Sequence, residues 1–200
     1  MKGAVRGAYL LIAALVLCAM YIASRPGNMV MVRSSVTGKE YMVKRAPDNQ
    51  QMADRLALLE QRLHRLLDGA NGIMPNDPRI AAIRDRWDGT LSEVQAEDEV
   101  AFSVDKNSIH VCLRDSRGNI EDMNASMFVL LHELAHVATS DFGHTQEFWA
   151  NMRFLLELAE RLGVYKYEAH GDSTFCGHPL GASPLTCIKR GSCQSTLKRA

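Results

Sequence analysis

The sequence predicts an α+β domain preceded by a single N-terminal transmembrane helix. Apolar residues recur at helical spacing in several segments after residue 48. Short β-prone runs bounded by turn residues stand between those segments. An almost wholly apolar stretch without a charged side chain covers residues 7–24. A helix of that length just reaches across a bilayer core of about 30 Å.

The apolar stretch is expected to belong to an uncleaved membrane anchor, residues 1–25. Tyr9 and Tyr21 lie near its ends, where aromatic rings favour the headgroup zone. A cleavable signal peptide is the alternative, because a short basic region precedes the apolar core. Residues 19–24 include bulky side chains and give no clean small-x-small cleavage site, which favours the anchor. We therefore expect a single-pass membrane protein that contacts the lipid bilayer through residues 7–24. The sequence leaves open on which side of the membrane the domain lies.

Residues 26–47 are predicted to form a linker or a short β-hairpin. Two β-prone runs, residues 29–32 and 40–43, lie on either side of the turn-forming residues 37–39. Either structure would connect the predicted anchor to the domain.

The predicted domain covers residues 48–170 and contains four helices and one hairpin. A helix-starting residue precedes each helix: Asp48, Asp77, Asp122 and Thr145. The first helix is expected to end at residues 68–69 and the last at Gly163. The third is apolar on nearly every face and should be buried. Residues 100–114 are predicted to form a β-hairpin between the second and third helices.

The cysteines do not settle the redox compartment. Cys112 lies in an apolar run and is expected to be a small core residue. Three more lie in a Cys-, Gly- and Pro-containing tail of residues 171–200: Cys176, Cys187 and Cys193. They could form a disulfide or join His178 in a small metal site, although no paired CxxC supports the metal site.

Acidic and basic residues balance at 23 each. Binding to a phosphate backbone requires a concentrated basic surface. Nucleic acid is therefore not expected to be the main partner of this chain.

The third predicted helix contains the pattern HExxH at residues 132–136. His132 and His136 are four residues apart, so both imidazoles project from one helix face and can reach one ion. Glu133 can stay out of the coordination shell and act as the general base of a zinc peptidase. A chance origin is disfavoured, because these polar groups would be costly to bury in an apolar helix without a partner.

A third zinc ligand is needed, since catalytic zinc usually takes three protein ligands and a water molecule. Thr139 and Phe142 stand where a metzincin would have Gly and His, which excludes that class. Glu157 or Glu160 could serve, as the downstream Glu does in gluzincins. His144 is the stronger candidate, because a turn-prone loop before it lets the chain return to the motif.

The run from His132 to Trp149 resembles the HELAH…GHxxxFW core of the WLM and SprT-like zincin metallopeptidases. The resemblance covers residues 109–167 and is closest to small membrane-anchored members found in large DNA viruses and microbial eukaryotes. It implies that His144 is the third ligand and that Phe148 and Trp149 pack the last helix on the motif helix. It also implies a minimal zincin fold in which the edge of a short sheet receives an extended substrate.

The expected function is therefore zinc-dependent hydrolysis of a protein or peptide. One Zn²⁺, held by His132, His136 and His144, would activate water, and Glu133 would take the water proton and pass it to the leaving amine. The alternatives are a non-catalytic zinc-stabilised membrane module and a DNA-associated SprT-like protease. Additional candidates for contact with the reaction centre follow the last helix: Tyr165, Tyr167 and His170.

Overall fold

The computed structural model describes residues 28–95, 99–170 and 172–186. Within these ranges the elements, in chain order, are β1 Met29–Arg33, β2 Glu40–Lys44, α1 Asn49–Ile73, α2 Pro78–Arg86, β3 Thr90–Glu93, β4 Ala101–Val104, β5 Ser108–Val111, α3 Met123–Ala138, α4 Gln146–Arg161, β6 Thr174–Phe175 and β7 His178–Pro179. The α+β part of the predicted fold class is confirmed.

The predicted transmembrane helix is not supported, and the fold class and membrane localisation are corrected accordingly. Among the described residues no helix is both long and apolar enough to cross a bilayer. The longest, α1, has 25 residues but includes charged side chains such as Asp54 and Glu60. The apolar α3 has 16 residues, about 24 Å at ~1.5 Å per residue, which is short of a bilayer core of about 30 Å. The predicted anchor, residues 1–25, lies outside the described residues.

Strands β1 and β2 pair antiparallel, so the described part of the predicted linker or hairpin contains a β-hairpin. Tyr41 and Val43, on one face of β2, are buried in the hydrophobic core that also contains the apolar face of α1. The hairpin therefore shares a core with the domain that was predicted to begin at residue 48.

Helix α1 continues to Ile73, past its predicted end at residues 68–69. A Cβ atom added to Gly69 would lie 2.7 Å from Leu162 Cδ2. Gly69 thus permits the close approach of α1 to the end of α4 and does not stop the helix. Helix α2 begins as predicted, because the Asp77 side chain accepts a hydrogen bond from the Arg79 amide at 2.9 Å.

The main sheet has the order β3-β5-β4. Strands β4 and β5 form the predicted antiparallel hairpin. Strand β3, parallel to β5, was not predicted, since its residues Leu91, Ser92 and Glu93 are all buried and show no alternation. Strand β4 lies at one edge of this sheet, on the side of α3.

Helices α3 and α4 begin at their predicted caps. The Asp122 side chain accepts hydrogen bonds from the first-turn amides of α3, and Thr145 accepts one from the amide of Phe148 in α4. Nearly every face of α3 is buried, as predicted, because α2, α4 and the sheet surround it.

A disulfide joins Cys112, just after β5, to Cys176 in the turn between β6 and β7. The prediction for Cys112 was therefore incomplete. It is buried, but it is also covalently bonded to the tail. No local signal pairs two cysteines that lie 64 residues apart.

Candidate metal centre

Helix α3 places the two histidines of the HExxH motif one turn apart on the same side. The His132 and His136 Nε2 atoms are 3.2 Å apart. Both rings are partly buried, and they meet edge to face at a centroid distance of 5.0 Å. The spacing expected from the motif is confirmed.

The loop after α3 returns the chain to these two histidines. Gly143 adopts a φ of +81°, a left-handed conformation that favours glycine, and His144 follows it. The His144 Nε2 atom lies 3.0 Å from His132 Nε2. The structure therefore brings together the three predicted ligands, while metal binding itself stays a prediction.

The donor set fits a single zinc ion. At Zn–N distances of about 2.0–2.1 Å, two nitrogens on a tetrahedral ion lie roughly 3.3 Å apart, close to the measured separations. A neutral imidazole has one N–H group, so hydrogen bonds alone satisfy such a cluster poorly. In the described part of the chain, this is the only group of three or more His, Cys, Asp or Glu side chains arranged to hold a metal.

Phe148 contacts all three imidazoles with its apolar ring. Its side chain is completely buried, and its ring centroid lies 4.8 Å from that of His132, 4.3 Å from His136 and 4.6 Å from His144. Trp149 lies 5.6 Å from His144. The resemblance implied a packing role between helices for this aromatic pair, and the structure adds direct contact with all three candidate ligands.

Burial keeps the motif imidazoles neutral. It lowers the pKa of His132 to about 3 and that of His136 to about 4. Neighbouring imidazoles add to the effect on both pKa values, and the Lys106 ammonium group further lowers that of His136. Because a histidine binds metal only in its neutral form, both side chains are in the ligating form at neutral pH.

Glu133 is the unusual carboxylate of the centre. Its side chain is buried, with 7% of the residue exposed, and it has no hydrogen-bond or ion-pair partner among the residues that the structure describes. Burial raises its pKa from 4.5 to about 7. A carboxyl group with such a pKa can both accept and release a proton near neutral pH.

Side chains from two helices, α4 and α2, fix the start of the loop that carries His144. Asn151 Nδ2 donates to Thr139 Oγ1 at 3.0 Å, and Ser140 Oγ donates to Glu147 Oε2 at 2.8 Å. From α2, Arg86 donates to two carbonyl groups at the end of α3. The sequence did not predict the Arg86 contacts, because they join residues 51 and 53 positions apart in the chain.

The structure does not bring the alternative ligands to the histidines. Glu157 pairs with Arg153 at 2.9 Å on the surface of α4, and Glu160 accepts a hydrogen bond from the Tyr167 amide at 3.1 Å. The alternative of a small metal site at His178, which no paired CxxC supported, loses Cys176 to the disulfide. Its other two cysteines, Cys187 and Cys193, lie outside the described residues.

Two of the candidate residues after α4, Tyr165 and His170, pack against Phe128, which lies one helical turn before His132 in α3. The rings of Tyr165 and His170 contact Phe128 at centroid distances of 6.3 and 4.3 Å. His170 Nε2 is buried without a hydrogen-bond partner among the described residues. Tyr167 instead donates a hydrogen bond to Thr186 at 3.4 Å.

Three viral proteins are similar to this chain. An uncharacterized protein of Acanthamoeba polyphaga mimivirus is 34% identical over 157 residues, which are 73% of this chain and 79% of that protein. Uncharacterized proteins of Invertebrate iridescent viruses 3 and 6 are 44% identical over 70 residues and 35% identical over 79 residues. Those matches cover 34% and 38% of this chain and 44% of each relative. No protein-family model matches the chain, and no solved structure does.

Proposed function

This chain belongs to the protein family of the mimivirus relative, and for it we propose the function of a zinc-dependent metallopeptidase of the WLM and SprT-like type. The observation that carries the proposal is the convergence of three histidine Nε2 atoms, with a buried glutamate next to the first of them in the sequence that has no partner among the described residues. A purely structural zinc site would have no use for the Glu133 carboxylate and would usually close its fourth position with Cys or His.

His132, His136 and His144 would hold the metal through their neutral imidazoles. A zinc ion held by these residues would lower the pKa of a water molecule and polarise the scissile carbonyl group. Glu133 accepts the proton of the attacking water and afterwards donates it to the leaving amine. The raised pKa of Glu133 supports this exchange. A carboxyl group whose pKa is near the working pH can take a proton from water in the first step and give it to the amine in the second.

The proposed substrate is an extended segment of a protein or peptide. Strand β4 lies at the sheet edge nearest α3, where main-chain groups can pair with an added strand. This mode of binding uses the backbone common to all peptides, so it supports hydrolysis of many sequences.

The decisive experiment compares the wild-type chain with Glu133→Gln for zinc content and casein cleavage. Both proteins should bind one zinc ion, and the variant should lose roughly 10²–10⁴-fold in rate, the usual contribution of a general base. Glu157→Gln is the matched control, since this glutamate is exposed on α4, and it should cleave casein at the wild-type rate. A wild-type protein that binds zinc but cleaves no faster than Glu133→Gln would indicate a structural metal.

The third ligand is tested separately. His144→Ala should weaken zinc binding by more than about 100-fold, because losing a ligand exceeds the 10–100-fold effect of losing an outer contact. His178→Ala, a change at an exposed histidine of β7, serves as the control. Equal zinc affinity in both variants would exclude His144 as the third ligand.

A further inference from the structure

The turn between β4 and β5 has an unusual backbone. Asp105 and Lys106 have φ values of +49° and +60°, two successive left-handed residues of which neither is glycine. Hairpin turns of this kind strongly favour Asn-Gly, Asp-Gly or Gly-Gly. Asp105 therefore suits its position, whereas Lys106 stands where glycine is preferred, because a long side chain at positive φ carries a steric cost. Keeping a lysine at such a position indicates that its side chain has a use.

The Lys106 side chain extends from this turn to the end of the motif helix. Its Nζ atom donates hydrogen bonds to the carbonyl oxygens of Thr139 and Ser140, the latter at 3.1 Å. The ammonium group also lies 5.3 Å from the ring centroid of Phe142. These carbonyl groups lie at the C-terminus of α3, where the helix dipole favours a positive charge.

The contacts of Lys106 fall on the segment that delivers the third candidate ligand. Thr139 and Ser140 are the first residues after α3, and His144 follows four positions later. The Asn151 and Glu147 contacts come from α4, which lies on the far side of His144 in the chain. Lys106 instead approaches from the sheet, so it links the edge hairpin to the start of this loop.

We propose that Lys106 is a positioning residue that ties the β4–β5 turn to the loop carrying His144 and so fixes the third ligand of the metal centre. The inference rests on the metal site of the proposed function. It explains why a strained turn position holds a long cationic side chain where glycine would be easier to accommodate.

The test measures metal binding by the full chain, with Zn²⁺ affinity determined by chelator competition and the visible absorption spectrum of bound Co²⁺ recorded. Lys106→Gly removes the ammonium group and also the steric cost of a side chain at positive φ. Lys106→Asn removes the ammonium group and substitutes a residue that tolerates positive φ. Both should bind Zn²⁺ roughly tenfold more weakly, the scale of an outer-shell contact, with an altered Co²⁺ spectrum. Asp105→Gly relieves the same turn, keeps the ammonium group and should retain wild-type binding.

Wild-type affinity in both Lys106 variants would overturn the proposal. An equal loss in Asp105→Gly would also overturn it, because the effect would then follow the turn backbone. Peptidase activity is measured in parallel. Absence of cleavage by a zinc-loaded wild type would refute the proposed function, while the Zn²⁺ affinities would still decide the role of Lys106.

Discussion

Two buried glutamates show how differently the scaffold and the metal centre treat charge. Glu93, in β3, is 1% exposed and accepts hydrogen bonds from Arg114 at 2.8 and 2.9 Å and from the Lys44 amide at 2.7 Å. Glu133, in α3, is 7% exposed and has no such partner among the described residues. Hydrogen bonds and an ion pair compensate the desolvation of the Glu93 carboxylate, whereas no described residue compensates that of Glu133.

A second scaffold carboxylate follows the pattern of Glu93. Glu60, in α1, is 8% exposed and accepts hydrogen bonds from Lys39 at 2.9 and 3.0 Å and from the Tyr41 hydroxyl at 2.8 Å. The scaffold therefore buries carboxylates in order to join elements. The metal centre buries one that has no partner among the described residues, and this difference supports a chemical role for Glu133.

The largest stability effect is expected at Glu93. Glu93→Gln should lower the free energy of unfolding by about 3 kcal/mol, because the buried Arg114 guanidinium loses its main counter-ion. Urea unfolding measures the change. Glu157→Gln, which breaks an exposed ion pair, should cost less than about 1 kcal/mol. Equal costs for the two variants would contradict the contrast between a buried network and a surface pair.

Glu133→Gln should act in the opposite direction in the metal-free protein. Burial raises the folded-state pKa of Glu133 from 4.5 to about 7. The stability contributed by its neutral form is therefore fully present below pH 4.5 and is lost as the pH rises through 7. At ~1.4 kcal/mol per pKa unit, wild-type stability should fall by roughly 3 kcal/mol over that window.

The variant lacks this titration, so its stability advantage should be absent near pH 4.5, grow as the pH rises and be complete above pH 7. Urea unfolding with a chelator present, repeated across this pH range, tests it. Parallel pH profiles for the two proteins would show that Glu133 has a partner in solution.

The smallest effect is expected at Tyr41. Tyr41→Phe removes one hydrogen bond to Glu60 and leaves both bonds from Lys39, so the cost should be about 1 kcal/mol. Thermal and urea unfolding of the variant measure it. A loss as large as that of Glu93→Gln would mean that the Glu60 network is held together by its hydroxyl group and not by its ion pair.

Features encoded in adjacent residues were predictable from the sequence. The helix starts at Asp77, Asp122 and Thr145 each depend on a side chain that caps amides within the next few residues. The HExxH spacing needs only helix geometry. These local signals placed two of the three histidines, and the loop before His144 indicated the third.

Features that depend on distant partners were not predictable. Gly69 has the sequence signature of a helix end and is instead a contact point for Leu162. Strand β3 is recognisable only from its pairing with β5. The predicted membrane anchor rested on the length, hydropathy and flanks of residues 7–24, and the helices that the structure describes do not supply it.

The Cys112–Cys176 bond closes a covalent ring around the whole metal centre. Its 64-residue span contains α3, α4, Glu133 and all three histidines. A single cut of the backbone anywhere inside this ring leaves the two pieces attached. Such a nicked chain would migrate as one species in non-reducing electrophoresis and as two after reduction, so cleavage of the protein by a second copy of itself would be overlooked unless a reductant is added.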